Sequence, residues 1–336
     1  MGRCVVLLLA LGAAVGGCGF GRIADAVCSA AAFGFTTGCD TGSTSLVAGA
    51  PRVDVVDGSG RLSLFSDGTR GTGPAFANPT GIVIDAARDR AVVCDTTKGW
   101  LVAVDLATGN RSVVASATVG SGPALTGPLE IAYDAAGDRL FVLSLVLETL
   151  FVVDAETGDR SALSSPSLGG GADFAVGAIA WDGGDGCVVM VAEERDALYA
   201  VDGGSGARRV ISDLGRGQGP PFDAMRGVAV DASRRIAYVS DVGLDALVAV
   251  DLATGDRVIV AGPGTGSGPS LGNVPFFVLG SDLEHAYLVD WDSDRLLRVD
   301  LATGNRTVLS SEGLAGRTPW SMALSPSRNR LYVTRY

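Results

Sequence analysis

The chain has 336 residues, 47% of them hydrophobic, only 6% aromatic, and 48 of them glycine. It carries 37 acidic against 26 basic side chains, a formal charge of −11, with Lys98 its one lysine; phosphate recognition needs a basic face, so this balance excludes a nucleic-acid partner and leaves no polybasic patch for acidic lipids. Abundant aliphatic residues with abundant glycine suit many short strands joined by turns, with ample material for a core.

Residues 1–17 read as a secretory signal peptide: Arg3, the apolar run VVLLLALGAAV (5–15), too short to settle across a bilayer as a helix, then small residues. The junction VGGC (15–18) resembles the lipobox of bacterial lipoproteins, which implies cleavage before Cys18 and acylation of that cysteine; soluble secretion after ordinary cleavage nearby is the alternative. The chain is then anchored to a membrane by lipid rather than spanning it. Gly19 stands where well-studied lipoproteins carry an aspartate for inner-membrane retention, so the resemblance implies the outer membrane or the cell surface of a bacterial envelope. Residues 18–47 form a tether in which Cys28 and Cys39 flank SAAAFGFTTG, and an oxidising compartment would let them pair as a local disulfide. Cys94 and Cys187 lie further on at non-equivalent repeat positions, as expected of two free, buried thiols, and no cysteine spacing resembles a zinc site.

From residue 48 onward the chain repeats itself. VDLATGNRSVVAS (104–116), VDLATGDRVIVAG (250–262) and VDLATGNRTVLSS (299–311) are near copies, and their aspartates belong to a series, Asp57, Asp105, Asp154, Asp202, Asp251 and Asp300, spaced 48 or 49 residues apart. A second series precedes the next member by 20 residues: Asp85, Asp134, Asp182, Asp231 and Gly280, with Ser325 as its last equivalent. Within one unit, GIVIDAARDRAVVCD (81–95) reads as strand, tight turn, strand, and WLVAVDLATGNRSVVAS (100–116) repeats that pattern. In the ATGN turn Asp105 accepts backbone N–H groups and Gly109 takes the positive φ. Four strands in a period just under 50 predict an all-β fold, a six-bladed β-propeller of four-stranded antiparallel blades over residues 48–336. Residues 321–336 supply two inner strands and residues 52–67 two outer ones, so the termini complete one blade and close the ring.

The unit GVAVDASRRIAYVSDVGLDALVAVDLATGDRVIV (227–260) resembles the blades of six-bladed propellers of the NHL, YWTD and gluconolactonase-like (TolB-like) groups. These groups include protein-, RNA- and carbohydrate-binding modules as well as lactonases and lyases, so the resemblance implies a fold more than an activity.

Function has to be sought where blades differ. The connections between blades are long, as in SDGTRGTGPAFANPT (66–80) and AGPGTGSGPSLGNVP (261–275), which makes their face the expected binding surface. Their GTGP, GSGP and GQGP segments are not phosphate loops, because strands rather than helices follow and no lysine accompanies them. Asn78, Thr80, Glu130, Arg226, Asn273 and Trp320, at or near the starts of innermost strands, are the expected ligand-binding residues of the channel mouth. Asp95, Asp241 and Asp290 occupy one equivalent position after the second strand. With Glu130 they are candidate calcium ligands, since lactonase-like relatives hold a divalent cation at the channel; the competing role is capping of the loop that follows. His285, the one histidine, aligns with turn-side arginines and is expected to be a solvated turn residue, which leaves no Ser–His–Asp system. Two functions follow: a monomeric, non-catalytic module with no cofactor that binds a protein or glycan at the envelope, or a calcium-assisted lactonase or lyase.

Overall fold

A computed structural model describes residues 50–310 and 319–335. The expected signal peptide and the calls on Cys18, Cys28 and Cys39 lie outside the described residues. Strands β1 (Arg52–Val56) and β2 (Leu62–Ser66) are followed by five blades in chain order. Blade 1 holds β3 (Pro79–Asp85), β4 (Arg90–Asp95), β5 (Trp100–Asp105) and β6 (Arg111–Ala115). Blade 2 holds β7 (Pro128–Asp134), β8 (Arg139–Ser144), β9 (Thr149–Asp154) and β10 (Arg160–Ser164). Blade 3 holds β11 (Ile179–Asp182), β12 (Cys187–Ala192), β13 (Ala197–Asp202) and β14 (Arg208–Ser212). Blade 4 holds β15 (Met225–Asp231), β16 (Ile236–Asp241), β17 (Ala246–Asp251) and β18 (Arg257–Ala261). Blade 5 holds β19 (Phe277–Leu279), β20 (His285–Asp290), β21 (Arg295–Asp300) and β22 (Arg306–Ser310). The sixth sheet has the order β2-β1-β24-β23, with β23 (Pro319–Ser325) and β24 (Arg330–Arg335) from the other end of the chain. First strands touch first strands all the way round, so β3, β7, β11, β15, β19 and β23 line the axis. This is the six-bladed propeller expected from the repeat, closed by the pairing of the termini.

The turns explain the repeat. Asp105 Oδ1 accepts the N–H groups of Ala107 (3.1 Å) and Thr108 (2.8 Å), and Gly109 takes φ +75°. Asp154, Asp202, Asp251 and Asp300 accept the corresponding bonds in their own blades. Strand residues pack between blades rather than within them: Val92, Cys94 and Leu101 of blade 1 share a core with Ile131, Leu140 and Phe151 of blade 2. Cys94 and Cys187 are both free and buried.

The long connections are joints. The glycines of the GTGP segment lie against the next blade's outer turn so closely that a Cβ on Gly71 would sit 2.1 Å from Gly109 O, and one on Gly73 2.0 Å from Arg111 O. Into the same loop the next blade sends a buried arginine. Arg111 Nε donates to Pro74 O (2.7 Å) and its Nη1 to Ser66 Oγ and Arg70 O. Arg160, Arg208, Arg257 and Arg306 bind Pro123 O, Ala172 O, Pro220 O and Pro269 O in the same way. These arginines recur at 48- or 49-residue spacing, a periodic signal that the sequence carries beside that of the aspartates. Each guanidinium is held by carbonyls, and burial holds the pKa of Arg111, Arg160, Arg208 and Arg306 below the usual arginine value. The first halves of the long loops are therefore scaffold, which confines the candidate binding surface to the starts of the inner strands and the turns beside them.

Closure has its own chemistry. Asp54 on β1 and Arg335 on β24, both buried, pair at 3.2 Å, and Arg52 Nε reaches Asp54 at 3.0 Å. In the other blades the place of Asp54 is taken by Val102, Phe151, Tyr199, Val248 and Leu297, so the charge belongs to the seam alone.

Candidate functional site at the channel mouth

Inner strands begin irregularly. Ladder register shifts between Pro79 and Ile82, Pro128 and Glu130, Met225 and Val228, and Pro319 and Ser321, and such bulges re-aim the side chains that they carry. Glu130 and Arg226 sit in two of these irregular starts. The structure brings them together through Glu193, which follows β12: Arg226 Nη1 lies 2.6 Å from Glu193 Oε2, with both side chains mostly buried. In sequence Glu193 stands one place after the position that Asp95, Asp241 and Asp290 share, but its pairing with Arg226 across two blades leaves no spacing signal.

Glu130 has no hydrogen bond or ion pair among the described residues. Half-buried on β7 near the axis, it feels desolvation first and the Glu193 charge second, and together these push its carboxyl up to about 8. Glu193 is raised as well, by burial that outweighs the attraction of Arg226. Cys94 of blade 1 lies close enough to Glu130 for that charge to add to the effect of burial on its thiol. Just outward, Asp196 in the turn after β12 is raised by partial burial and by the charges of Asp223 and Asp241 in blade 4. The mouth over blades 2 to 4 is thus strongly acidic, with Arg226 already engaged by Glu193.

The other expected mouth residues separate. Thr80 is buried rather than open to a ligand: its Oγ1 bonds Thr96 Oγ1 (2.8 Å) and its carbonyl accepts from Thr334 Oγ1 (2.6 Å), so it ties blades together. Asn78 and Asn273 are half-buried in the returning loops. The backbone N–H of Asn78 donates to Asp95 (3.2 Å), while its Oδ1 is buried without a partner among the described residues; the N–H of Asn273 donates to Asp292 (3.2 Å). Trp320 is half-buried near the start of β23, beside Pro319, whose carbonyl accepts from Trp291 Nε1.

The acids proposed for calcium do not assemble. Asp95 accepts the N–H groups of Ala77, Asn78 and Lys98. Asp241 accepts those of Asp223, Ala224, Gly243 and Leu244. Asp290 accepts from Asp292 N and Ser293 Oγ. Asp95, Asp241 and Asp290 each fasten loops of their own blade, and with Glu130 they do not come together as one cluster of ligand atoms among the described residues, so this donor set does not fit a divalent cation. Among the described residues the one grouping with metal-ligand spacing is Asp282, Glu284 and His285, largely exposed. His285 is not the solvated turn residue expected. It opens β20 with its side chain mostly covered, Nδ1 2.7 Å from Asp282 Oδ2 and Nε2 2.6 Å from Arg298 Nη2, because Asp282 replaces the aspartate missing at Gly280. Both ring nitrogens are engaged in its own blade.

Solved structures share this architecture. One is a chain from the crystal structure of a nidogen/laminin complex, with TM-score 0.58 and 15% identity, the match covering 77% of this chain and 92% of that one. Another is a protein of unknown function from Bacteroides thetaiotaomicron, with TM-score 0.59 and 10% identity, covering 85% of this chain and 76% of that one. Identities this low show a common fold alone. No protein-family model matches the chain, and no curated protein matches it.

Proposed function

We propose that this propeller is a non-catalytic binding module that presents its channel-mouth face to a partner at the cell envelope, the chain being exported and held there by lipid on Cys18. The observation that carries this reading is the division of labour within the repeat. Aspartates, glycines and arginines that recur in blade after blade are used in turns and joints, whereas unlike side chains, among them Glu130, Arg226, Phe276 and Trp320, collect where inner strands begin. Loops and strand ends on a rigid scaffold are where recognition residues gather. The similar chain comes from a nidogen/laminin complex, and a protein partner fits the same reading here.

Site-specific photocrosslinking in cells expressing the full chain tests it. A crosslinker at exposed Leu147, in the turn between β8 and β9 at the mouth, should capture a discrete partner; one at exposed Ala87, in the β3–β4 turn at the opposite end, should not. Equal labelling from both positions, or none from Leu147, overturns the assignment of the face.

A further inference from the structure

Blade 3 has a gap where its neighbours carry an arginine. The second strand of a blade opens opposite the residue that ends the first: Arg90 pairs with Asp85, Arg139 with Asp134, and Cys187 with Asp182. In blade 1 the Arg90 guanidinium bridges two acceptors, Asp85 Oδ2 through Nε (2.8 Å) and Ala155 O, in the next blade's outer turn, through Nη2. Arg139 does the same between Asp134 Oδ2 (2.9 Å) and Gly203 O (2.8 Å). Cys187 is too short to reach either equivalent. Asp182, 2% exposed, accepts the Gly184 N–H on Oδ1, and its Oδ2 accepts no hydrogen bond among the described residues. Leu252 follows Asp251 as Ala155 follows Asp154; it is also 2% exposed, and its carbonyl accepts no hydrogen bond among the described residues. Buried acceptors left without a donor are costly, and blades 1 and 2 show which donor fits them.

The space of the missing arginine is open. A cavity of about 300 Å³ lies at Cys187, its walls including Asp185, Ala200, Asp202, Ala207 and Arg209. Asp202, Ala207 and Arg209 are exposed, so the cavity opens to solvent. Ala207 widens it, standing where Asn110, Asp159, Asp256 and Asn305 carry longer side chains. The charges facing the Cys187 thiol are those of Asp182, Asp185 and Asp202 against Arg209. Arg209 and Arg235 of blade 4 both rest on Asp185, at 3.5 and 2.5 Å, and neither supplies the donor that Asp182 Oδ2 lacks. A second guanidinium can stand beside them, because in blade 1 Arg88 Nη1 and Arg90 Nε both donate to Asp85 Oδ2, at 3.0 and 2.8 Å.

We infer that the joint of blades 3 and 4 is a guanidinium-binding site: an alkylguanidinium, free or at the end of an arginine side chain, enters the cavity over Cys187 and donates to Asp182 Oδ2 and Leu252 O, as Arg90 and Arg139 do within their own joints. The planar fork of a guanidinium spans a carboxylate and a carbonyl at once, which a point ammonium cannot do. The site lies at the tight-turn end of the ring, away from the channel mouth, and is independent of the face proposed there.

Calorimetric titration of the full-length chain in nonionic detergent tests this at constant ionic strength, with ethylguanidinium, ethylammonium and ethylurea as probes. Ethylguanidinium should bind saturably at one site, about tenfold or more tightly than either of the others, the effect of one charge-assisted hydrogen bond. Cys187→Arg should abolish this binding while its thermal midpoint stays at or above the wild-type value, because the longer side chain fills the cavity and supplies both donors from within. Cys187→Ala should bind as wild type does, since the thiol takes no part. Asp182→Asn keeps an acceptor for the Gly184 N–H but loses the charge, and should weaken binding about tenfold or more. N-acetylarginine methylamide separates the two sources: affinity equal to that of ethylguanidinium marks an arginine side chain of a polypeptide, and weaker binding marks a free guanidinium compound. Absence of saturable binding, equal affinity for ethylammonium or ethylurea, or undiminished binding in C187R or D182N each overturns the inference.

Discussion

Ring closure rests on a buried ion pair, and Arg335→Met tests what that pair contributes. Asp54 and Arg335 lie 3.2 Å apart with side chains 1% and 2% exposed. Burial raises the Asp54 carboxyl above its usual range even though Arg335 and Arg52 both pull it down, so desolvation exceeds the attraction. Removing Arg335 strands the carboxylate with Arg52 alone, at 3.0 Å. Breaking one side of such a pair costs about 3–5 kcal/mol, and the remaining Arg52 contact places this variant near 3. At about 2 °C per kcal/mol for a body of this size, the thermal midpoint should fall by about 6 °C. Asp54→Val in the same chain restores the residue type of Val102 and Val248, and the double variant should return to within about 1 kcal/mol of wild type, because apolar replacement of a buried pair is often neutral. Urea unfolding followed by circular dichroism gives both values. A single variant within 1 kcal/mol of wild type, or a double variant no better than Arg335→Met, would refute the desolvation reasoning.

Three more outcomes are expected. The folded ring holds a proton on Glu130 that the unfolded chain releases near pH 4.5, so its contribution to stability is present at low pH and lost as pH rises from 4.5 to about 8; urea midpoints of E130Q should lack that decline, and a parallel decline in both proteins counts against it. Arg160→Met takes the guanidinium from the carbonyls of Pro123, Ser116 and Val119, of which Val119 alone keeps another donor, the Ser116 N–H, and should cost about 3 kcal/mol, with Arg160→Lys no better, because a point ammonium cannot span three acceptors. Burial pushes the Cys187 thiol up to about 11 and the Cys94 thiol well above its usual value, so both should resist a disulfide reagent at pH 8 until urea unfolds the ring; fast reaction of either in the native state contradicts the packing.

The fold was legible because the repeat is itself the physical constraint. A turn that needs Asp105 to accept two N–H groups and Gly109 to hold φ +75° must recur wherever that turn recurs, so the aspartate series marked blade size and number directly. Closure was legible for the same reason, since strands left over at either end had one consistent use. The joints were less so. Arg111 and its equivalents carry a periodic signal, but an arginine in sequence reads as surface charge, and only the carbonyls converging on it show that it is buried.

At the mouth the limits of sequence reasoning have a definite cause. Thr80, Glu130 and Arg226 were placed by alignment to the inner strand, which fixes position along the chain but not the direction a bulged residue takes. Thr80 turned into the joint, whereas Arg226 reached Glu193 on the neighbouring blade. Asp95, Asp241 and Asp290 look like a ligand set because they share one position in three blades, yet each is engaged by N–H or O–H groups of its own blade's loop or turn. Glu130 repeats nowhere and relieves no local need. Its place is taken in the other blades by Gly81, Ala178, Gly227, Phe276 and Ser321, so no blade joint requires a carboxyl there, and a residue that the shared scaffold does not require carries no periodic signal by which its role could be read.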